Sequence, residues 1–570
     1  MRTIACLFVL IASAGTVLAA DRPNVIFIVS EDNSSHYLKL YNEHGAATPN
    51  IDKLAEQGLV FNHAFSCAPV CSVARTTLAT SVYAPRISAN FHRKLSPVAL
   101  PEGWRLFHEY LRDAGYYVTN NSKTDYNVAV NPGKSWDASS NKVSWKNRPT
   151  KDTPFFHMES HGVSHESSLH FNENVFKNQA TKTDPDSVTV WPYFPDTPLF
   201  RYTTARYHDR MMNVDDIVGR VVAELEKEGV LEDTFIFYFG DHGGVLPGSK
   251  GYAWERGLHV PLVVRVPANF KSLVPFKNGS RVDGFVEFVD FGPTVLHLAG
   301  VKVPGHMDGK PFLGKGITAE QVNEEDEAFG CADRFDEEYD IARTLRKGKY
   351  KYVRSYQGFY PDALMNNYRY KMLAYQEWLE LFKAGKLNHV QSQFFRPRPA
   401  EALYDIETDP HELKNLAGDG KHAGTLEDLR GRLTARVNAM PDLGFLPEPV
   451  LVEEAVDQPL TFAKRQQELI NQLVDVANTQ LVPFDEASTT IQMAIASKNP
   501  WVRYWSMIVC SSFGEQARSL VDDARALLKD DEPLVRVRAA EFLGIIRAAD
   551  PVPTIMDVLK TSDSHVTSLI

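Results

Sequence analysis

Two continuous apolar segments, each followed by metal-ligating side chains, place the strongest constraint on how this chain can fold. Residues 24–29 and 234–239 are runs of apolar, β-branched and aromatic side chains, which is typical of buried parallel strands. Because ligands bind at the carboxyl edge of the strands in open α/β sheets, we expect one site to be built from both segments. The polar side chains that follow the two runs are Glu31, Asp32, Asp241 and His242.

Segments with helical periodicity alternate with these strands. Apolar side chains recur at helical spacing in residues 51–57, 106–114 and 214–227, as they do on helices that bury one face. This alternation predicts an α/β fold with a large, mostly parallel central sheet.

The first 20 residues have the pattern of a secretory signal peptide. Arg2 precedes an apolar stretch that ends in small residues before Asp21, which is the order of zones in such signals. The stretch is shorter than the ~20 residues that span a bilayer. We therefore expect a secreted or periplasmic protein without a membrane span.

Charge and cysteine content narrow the function classes. The chain has 61 basic and 72 acidic residues, a net charge of −11, so no global positive field would recruit nucleic acid. Four cysteines remain after the signal peptide, and their wide spacing is not that of a disulfide framework. Two of the four lie only four residues apart, which calls for a chemical explanation. The four are Cys67, Cys71, Cys331 and Cys510.

The sequence pattern changes twice after residue 325. Strand-like pieces and a helix over residues 372–384 predict a smaller α+β subdomain that ends near residue 445. Beyond a linker, Pro500 and Pro533 begin similar sequences 33 residues apart, which predicts HEAT-like helical repeats. Such repeats either cap the rest of the protein or offer a protein contact surface. The predicted divisions are 1–20, 21–325, 326–445 and 446–570.

The segment from Cys71 to Arg75 resembles the sulfatase signature, in which a cysteine followed four residues later by arginine is oxidised to formylglycine. The hydrated aldehyde has two geminal hydroxyls, one that attacks sulfur and one whose collapse expels sulfate. Val73 stands where the family has proline. Cys67 is followed two residues later by proline but lacks the arginine, so it is the weaker candidate. For this stretch alone, a buried reduced cysteine is the alternative interpretation.

The resemblance to the sulfatase family extends over residues 22–440. It implies an alkaline phosphatase-like sandwich with a mostly parallel central sheet, a smaller C-terminal α+β subdomain and a terminal helical segment. Several landmarks of the family occur in the expected order, and they cover residues 48–55, 58–61, 214–220, 289–295 and 403–410.

The resemblance also implies Ca²⁺ or another divalent cation beside the nucleophile. Asp32 and Glu31 would form one pair of ligands, and Asp241 and His242 the other; hard cations prefer such oxygen donors. Glu31 stands where the family has aspartate, and its side chain is longer by one methylene group. Without Asp241, a helix cap would be the simpler interpretation of the acidic pair.

Sulfate ester cleavage needs cations for the sulfate oxygens and an acid for the leaving alcohol. By resemblance, Lys123 is a sulfate ligand and Lys250 lies beside the scissile oxygen. His165 is favoured over His161 as the histidine that binds sulfate or protonates the leaving oxygen. Asp125 stands where many relatives have histidine, so that family role is not carried over.

Two basic residues soon after the nucleophile, His92 and Arg93, are candidates to contact further anionic groups of a polymer, together with His161. For charges of this kind, a solvated surface without a specific role is the common alternative.

These observations predict a secreted sulfatase that acts on sulfate esters, or on sulfamates, of a polysaccharide or oligosaccharide. Its maturation partner would be a formylglycine-generating enzyme. Two alternatives stay open: a phosphonate or phosphate ester hydrolase of the same superfamily, and a catalytically silent glycan-binding homologue in which Val73 blocks maturation.

Overall fold

A computed structural model of the chain describes residues 21–94, 96–121 and 123–562. The predicted signal peptide, residues 1–20, lies outside the described residues. The N-terminal part of the described chain is built on an eight-stranded sheet. Its strands are β1 (Asn24–Ser30), β2 (Gly58–Phe65), β3 (Tyr117–Asn120), β4 (Ala138–Ser139), β5 (Phe155–His161), β6 (Thr234–Gly240), β7 (His259–Arg265) and β8 (Ser280–Glu287).

The two predicted apolar strands are neighbours at the centre of this sheet, whose order is β4-β3-β5-β1-β6-β7-β2-β8. β1 pairs in parallel with β5 and β6, and Ser30 lies opposite Gly240 at the carboxyl end of the β1–β6 pair. Every residue of β1 and β6 is buried. β7 is antiparallel to both of its neighbours, so the sheet is mixed but mostly parallel. The predicted α/β fold is confirmed.

Helices cover both faces of the large sheet. Val25, Phe27 and Val29 of β1 face one core cluster, whereas Ile26 and Ile28 face the other, as the alternation of side chains along a strand requires. The helices of this part are α1 (Pro49–Glu56), α2 (Cys71–Thr80), α3 (Phe107–Asp113), α4 (Pro132–Ser135), α5 (Glu173–Asn178), α6 (Pro198–Lys227), α7 (Glu255–Leu258), α8 (Phe288–Leu298) and α9 (Ala319–Asn323).

The helix α6 is much longer than the apolar periodicity predicts. It begins at Pro198, where Thr197 accepts a hydrogen bond from the backbone N–H of Phe200. Its first half buries threonine and tyrosine side chains, such as Thr203 and Tyr207, which hide the apolar pattern. A threonine N-cap followed by proline is the start signal that the periodicity missed.

A smaller α+β part follows the large sheet. Its antiparallel four-stranded sheet has the order β12-β11-β10-β9, where the strands are β9 (Glu327–Ala332), β10 (Ala342–Lys347), β11 (Tyr350–Ser355) and β12 (Glu401–Asp405). Its helices are α10 (Leu373–Lys383), α11 (His389–Ser392) and α12 (Ala423–Ala439). The domain boundaries at residues 326 and 446 stay proposals.

The described chain ends in helices that pack on the rest of the protein. Pro500 and Pro533 are the first residues of two corresponding helices. Trp505 donates its indole N–H to the carbonyl of Phe445 at 2.7 Å, which ties the repeats to the body. Among the described residues, no helix has the length and apolar character that crossing a membrane requires. The helices are α13 (Glu448–Glu454), α14 (Pro459–Arg465), α15 (Gln467–Asn478), α16 (Phe484–Ile495), α17 (Pro500–Phe513), α18 (Val521–Leu527), α19 (Pro533–Ile545) and α20 (Val552–Thr561).

His108 on α3 is a buried imidazole that should make the fold sensitive to acid. Its ring stacks on Trp136 with the ring centroids 3.9 Å apart, and burial lowers the pKa of His108 to about 3. As the pH falls below about 6.5, His108 binds a proton in the unfolded chain but not in the folded chain. The free energy of unfolding therefore falls.

We expect His108→Phe to remove this contribution. Between pH 8 and pH 5 the wild-type protein should lose about 2 kcal/mol more stability than the variant, measured from urea and thermal unfolding at both pH values. Identical losses in the two proteins would contradict the assignment of acid sensitivity to His108.

Candidate active site

The polar residues that follow β1 and β6 meet at the carboxyl edge of the large sheet. The backbone N–H of Asp32 donates to Oδ1 of Asp241 at 3.0 Å. Nε2 of His242 lies 3.0 Å from Oδ1 of Asp32 and 3.7 Å from Oδ1 of Asp241. All three side chains are fully buried. The parallel pairing of β1 with β6 therefore brings together donors from positions about 210 residues apart.

Cys71 is the first residue of α2 and points into the same cluster. Its Sγ lies 3.2 Å from Nε2 of His242 and 4.0 Å from Oδ1 of Asp32. Burial alone would raise the pKa of the Cys71 thiol, but the charges of Lys250 and His242 help to lower it to about 6. Position 71 is thus a buried site that favours negative charge next to two carboxylates and several cations.

Arg75 lies one helical turn after Cys71, on the same face of α2. Its Nε donates to Oδ2 of Asp241 at 3.0 Å, and its Nη1 donates to the hydroxyl of Ser160 at 3.0 Å. Because Cys71 and Arg75 are four residues apart, they lie side by side on α2. Arg75 orients Asp241 from this position.

Lys250 reaches the cluster from the opposite side. Its Nζ lies 3.1 and 3.0 Å from the two carboxylate oxygens of Asp32 and 3.4 Å from Nε2 of His165. Burial alone would lower the pKa of Lys250, but Asp32 raises it well above its ordinary value. His165 directs Nδ1 to the hydroxyl of Ser167 at 3.0 Å, so its Nε2 faces Lys250.

Two candidates lie at the margin of the cluster. The carboxylate of Glu31 accepts a hydrogen bond from Nζ of Lys123 at 2.6 Å. Among the described residues, the set of three side chains whose ligating atoms lie within 4.8 Å of one another contains Asp32, Cys71 and His242, and neither Glu31 nor Asp241. Glu31 therefore stays a proposed cation ligand at the edge of the site, where it pairs with Lys123.

His161 has a different environment. Its Nε2 lies 2.9 Å from a carboxylate oxygen of Glu159, which also accepts a hydrogen bond from Arg220 at 2.8 Å. It is not among the residues that line the cavity over the cluster.

A cavity of about 450 Å³ opens above Lys250 and His165. Its wall includes Arg93, whose guanidinium contacts both carboxylate oxygens of Asp125 at 3.3 Å. His92 also lines the cavity, and its Nδ1 lies 3.1 Å from the hydroxyl of Ser72. Seven further lining residues carry no motif that predicts a role in the site, and most of them belong to the smaller α+β part: Glu166, Phe335, Asp336, Glu337, Asn367, Tyr368 and Lys371.

The donor set fits a divalent cation. Two buried carboxylates and one imidazole nitrogen converge there, and hard divalent cations prefer such oxygen-rich donors. Burial alone would lower the pKa of His242, but the negative charges of Asp241, Cys71 and Asp32 raise it to about 10. The cluster of Asp32, Asp241 and His242 therefore stabilises a positive charge. Asp32, Asp241 and His242 are the side chains that would hold the ion.

Comparisons with known proteins indicate the same family that the sequence motifs resemble. The family model "Sulfatase" matches residues 23–301, "N-sulphoglucosamine sulphohydrolase, C-terminal" matches residues 243–381, and "HEAT repeats" matches residues 487–569. The chain is 32% identical to an ulvan-active sulfatase of Formosa agariphila, over 82% of this chain and 80% of the relative. It is 24% identical to human N-sulphoglucosamine sulphohydrolase, over 73% of this chain and 90% of the relative.

Solved structures support the fold. The chain resembles a 2-O GAG sulfatase with a TM-score of 0.53 and 16% identity, over 74% of this chain and 93% of the other. It resembles the phosphonate monoester hydrolase of Agrobacterium radiobacter with a TM-score of 0.53 and 17% identity, over 74% of this chain and 97% of the other. At these identities the likeness concerns architecture and not substrate.

Proposed function

Because the chain belongs to the sulfatase family, we propose that this sulfuric ester hydrolase acts on a sulfated polysaccharide or oligosaccharide, with Cys71 converted to formylglycine and a divalent cation bound beside it. The observation that carries the proposal is the position of Cys71, whose Sγ lies 3.2 Å from His242 and 4.0 Å from Asp32, below the cavity. A nucleophile made at this position would adjoin both the cation ligands and the substrate.

Formylglycine and the cation would each supply one part of the chemistry. The hydrated aldehyde of formylglycine supplies two hydroxyls, one to attack sulfur and one to expel sulfate. A cation held by Asp32, Asp241 and His242 supplies Lewis-acid stabilisation of the charge on sulfate oxygens. We take Ca²⁺ as the first candidate, since carboxylate oxygens make up most of the donor set.

The chain's own side chains then bind, orient and protonate. Lys123 and Lys250 neutralise sulfate oxygens, and preorganised cations of this kind act where charge develops. Burial would lower the pKa of His165, but the nearby Asp32 raises it, so Nε2 of His165 can hold the proton that the leaving sugar oxygen takes up. Arg75 orients Asp241.

The relatives and the cavity support the proposed substrate class. The named relatives act on ulvan and on N-sulphoglucosamine, both of them carbohydrates. We propose that Arg93 and His92 contact anionic groups of the glycan at the cavity wall, and that His161 contacts a further such group. Assays with sulfate esters and with sulfamates distinguish between these two kinds of substrate. We also propose that the protein is secreted or periplasmic.

The decisive test is mass spectrometry of the peptide that contains Cys71, from protein made in a host with a formylglycine-generating enzyme. We expect the mass to fall by the difference between a CH₂SH and a CHO side chain, and release of free sulfate from a panel of sulfated glycans. A host without the maturation enzyme supplies the control. An unchanged thiol in the competent host would favour the catalytically silent glycan-binding alternative, with Val73 as its cause.

A further inference from the structure

The smaller α+β part contributes a buried arginine to the main chain of the active-site lysine. Arg369 is 1% exposed, and its Nη2 donates to the backbone carbonyl of Lys250 at 2.7 Å. A charged donor to a buried carbonyl makes a strong hydrogen bond. Arg369 therefore touches Lys250 at the end of the residue opposite to its ammonium group.

The guanidinium of Arg369 has little freedom to move. Its central carbon lies 4.0 Å from the ring centroid of Phe335 and 4.5 Å from that of Tyr252, and Nη1 lies 3.4 Å from a carboxylate oxygen of Glu338. Stacking on two rings together with an ion pair fixes the plane of the group. The donor to Lys250 is thus rigidly aimed.

The loop of Lys250 is shaped to accept this donor. Gly251 has a φ of +85°, and a Cβ built there would lie 2.0 Å from Nη2 of Arg369. Only glycine allows so close an approach in this conformation. The N–H of Gly251 also donates to the carbonyl of Pro69 at 2.7 Å, which connects the loop to the segment just before Cys71.

We propose that Arg369 is a positioning residue that sets where the ammonium group of Lys250 meets the sulfate group. Lys250 is held at both ends, through its carbonyl by Arg369 and through Nζ by Asp32. The inference rests on the proposed function, in which Lys250 contacts the substrate.

The segment that carries Arg369 also lines the substrate cavity. Asn367, Tyr368 and Lys371 face the cavity, whereas Asn366 is fully buried and accepts N–H hydrogen bonds from Tyr368 and Arg369 at 3.0 Å each. One short turn therefore forms part of the cavity wall and fixes Lys250, so the smaller part of the chain is a component of the active site.

The test compares Arg369→Lys with Lys250→Ala in the full-length, matured protein, and uses inorganic sulfate as the probe. A misplacement of about 1 Å can cost up to 100-fold, so we expect Arg369→Lys to raise the inhibition constant of sulfate and lower kcat/KM on the glycan by about tenfold. Arg343→Lys is the matched control, since Arg343 is equally buried but bonds Asp333 and Asp442. It should lower thermal stability and leave sulfate affinity unchanged.

The outcomes separate this inference from the proposed function. If Lys250→Ala weakens sulfate binding and Arg369→Lys does not, the positioning role is overturned and the proposed function stands. If Lys250→Ala leaves sulfate binding unchanged, the role of Lys250 falls and the inference falls with it. Should Arg369→Lys fail to fold, Gly251→Ala displaces the guanidinium while keeping it, and unchanged sulfate affinity in that variant would equally overturn the inference.

Discussion

Replacement of Cys71 by alanine is expected to lower kcat/KM for sulfated glycans on the order of 10⁴-fold, because loss of a covalent nucleophile leaves only binding and electrostatic stabilisation. The fold should persist, since the change removes one atom from a site framed by β1, β6 and α2. Circular dichroism and thermal unfolding check the fold, and release of free sulfate measures the activity.

Cys67→Ala is the matched control for the first prediction. Cys67 is also buried, but its Sγ lies 3.8 Å from a carboxylate oxygen of Glu287, away from the cation ligands. Burial and Glu287 raise the pKa of Cys67 well above its ordinary value, which makes its thiol inert. The Cys67→Ala variant should keep its activity. If Cys67→Ala were inactive and Cys71→Ala active, the nucleophile would be Cys67.

Replacement of Asp241 by alanine is expected to lower kcat/KM by about 10³-fold or more, since it removes a proposed cation ligand and frees Arg75 from its partner. Calorimetric titration of the chelated protein with Ca²⁺ should show weaker binding in the variant. Chelation should likewise inactivate the wild-type protein, and added cation should restore it.

Asp215→Asn controls for loss of a buried carboxylate as such. Asp215 lies on α6 and accepts backbone N–H hydrogen bonds from Asn50 and Ile51 at the start of α1. We expect a lower unfolding temperature with unchanged kcat and cation affinity. Full activity of Asp241→Ala with bound Ca²⁺ would remove Asp241 from the cation site.

The sequence alone predicts the centre of the fold because the decisive signals are local. The apolar runs of β1 and β6 mark buried strands, and the rule that ligands bind at the carboxyl edge then brings Asp32 and Asp241 together. The motif from Cys71 to Arg75 is recognised by its resemblance to the sulfatase signature, and the structure shows that its spacing is one turn of α2. In both cases a short stretch of sequence is enough to identify the residues of the site.

Features that depend on tertiary packing could not be predicted in this way. Tyr368 and Lys371 reach the cavity only because the smaller part of the chain docks against the large sheet, and no local pattern encodes that docking. The pairing of Glu31 with Lys123 is similar, since it depends on how the carboxyl ends of two strands are offset. The roles of His92, Arg93 and His161 stay predictions.

The complete burial of Cys71 has a consequence for how an active molecule arises. Under the proposed maturation, the enzyme that modifies this thiol would have to act while the polypeptide is still unfolded, before β1, β6 and α2 close around it. Chemistry at position 71 would then compete in time with folding, and a molecule that folds first would stay inactive for its lifetime. The fraction of active protein made by a given host would therefore depend on the rate of Cys71 modification relative to the rate of folding.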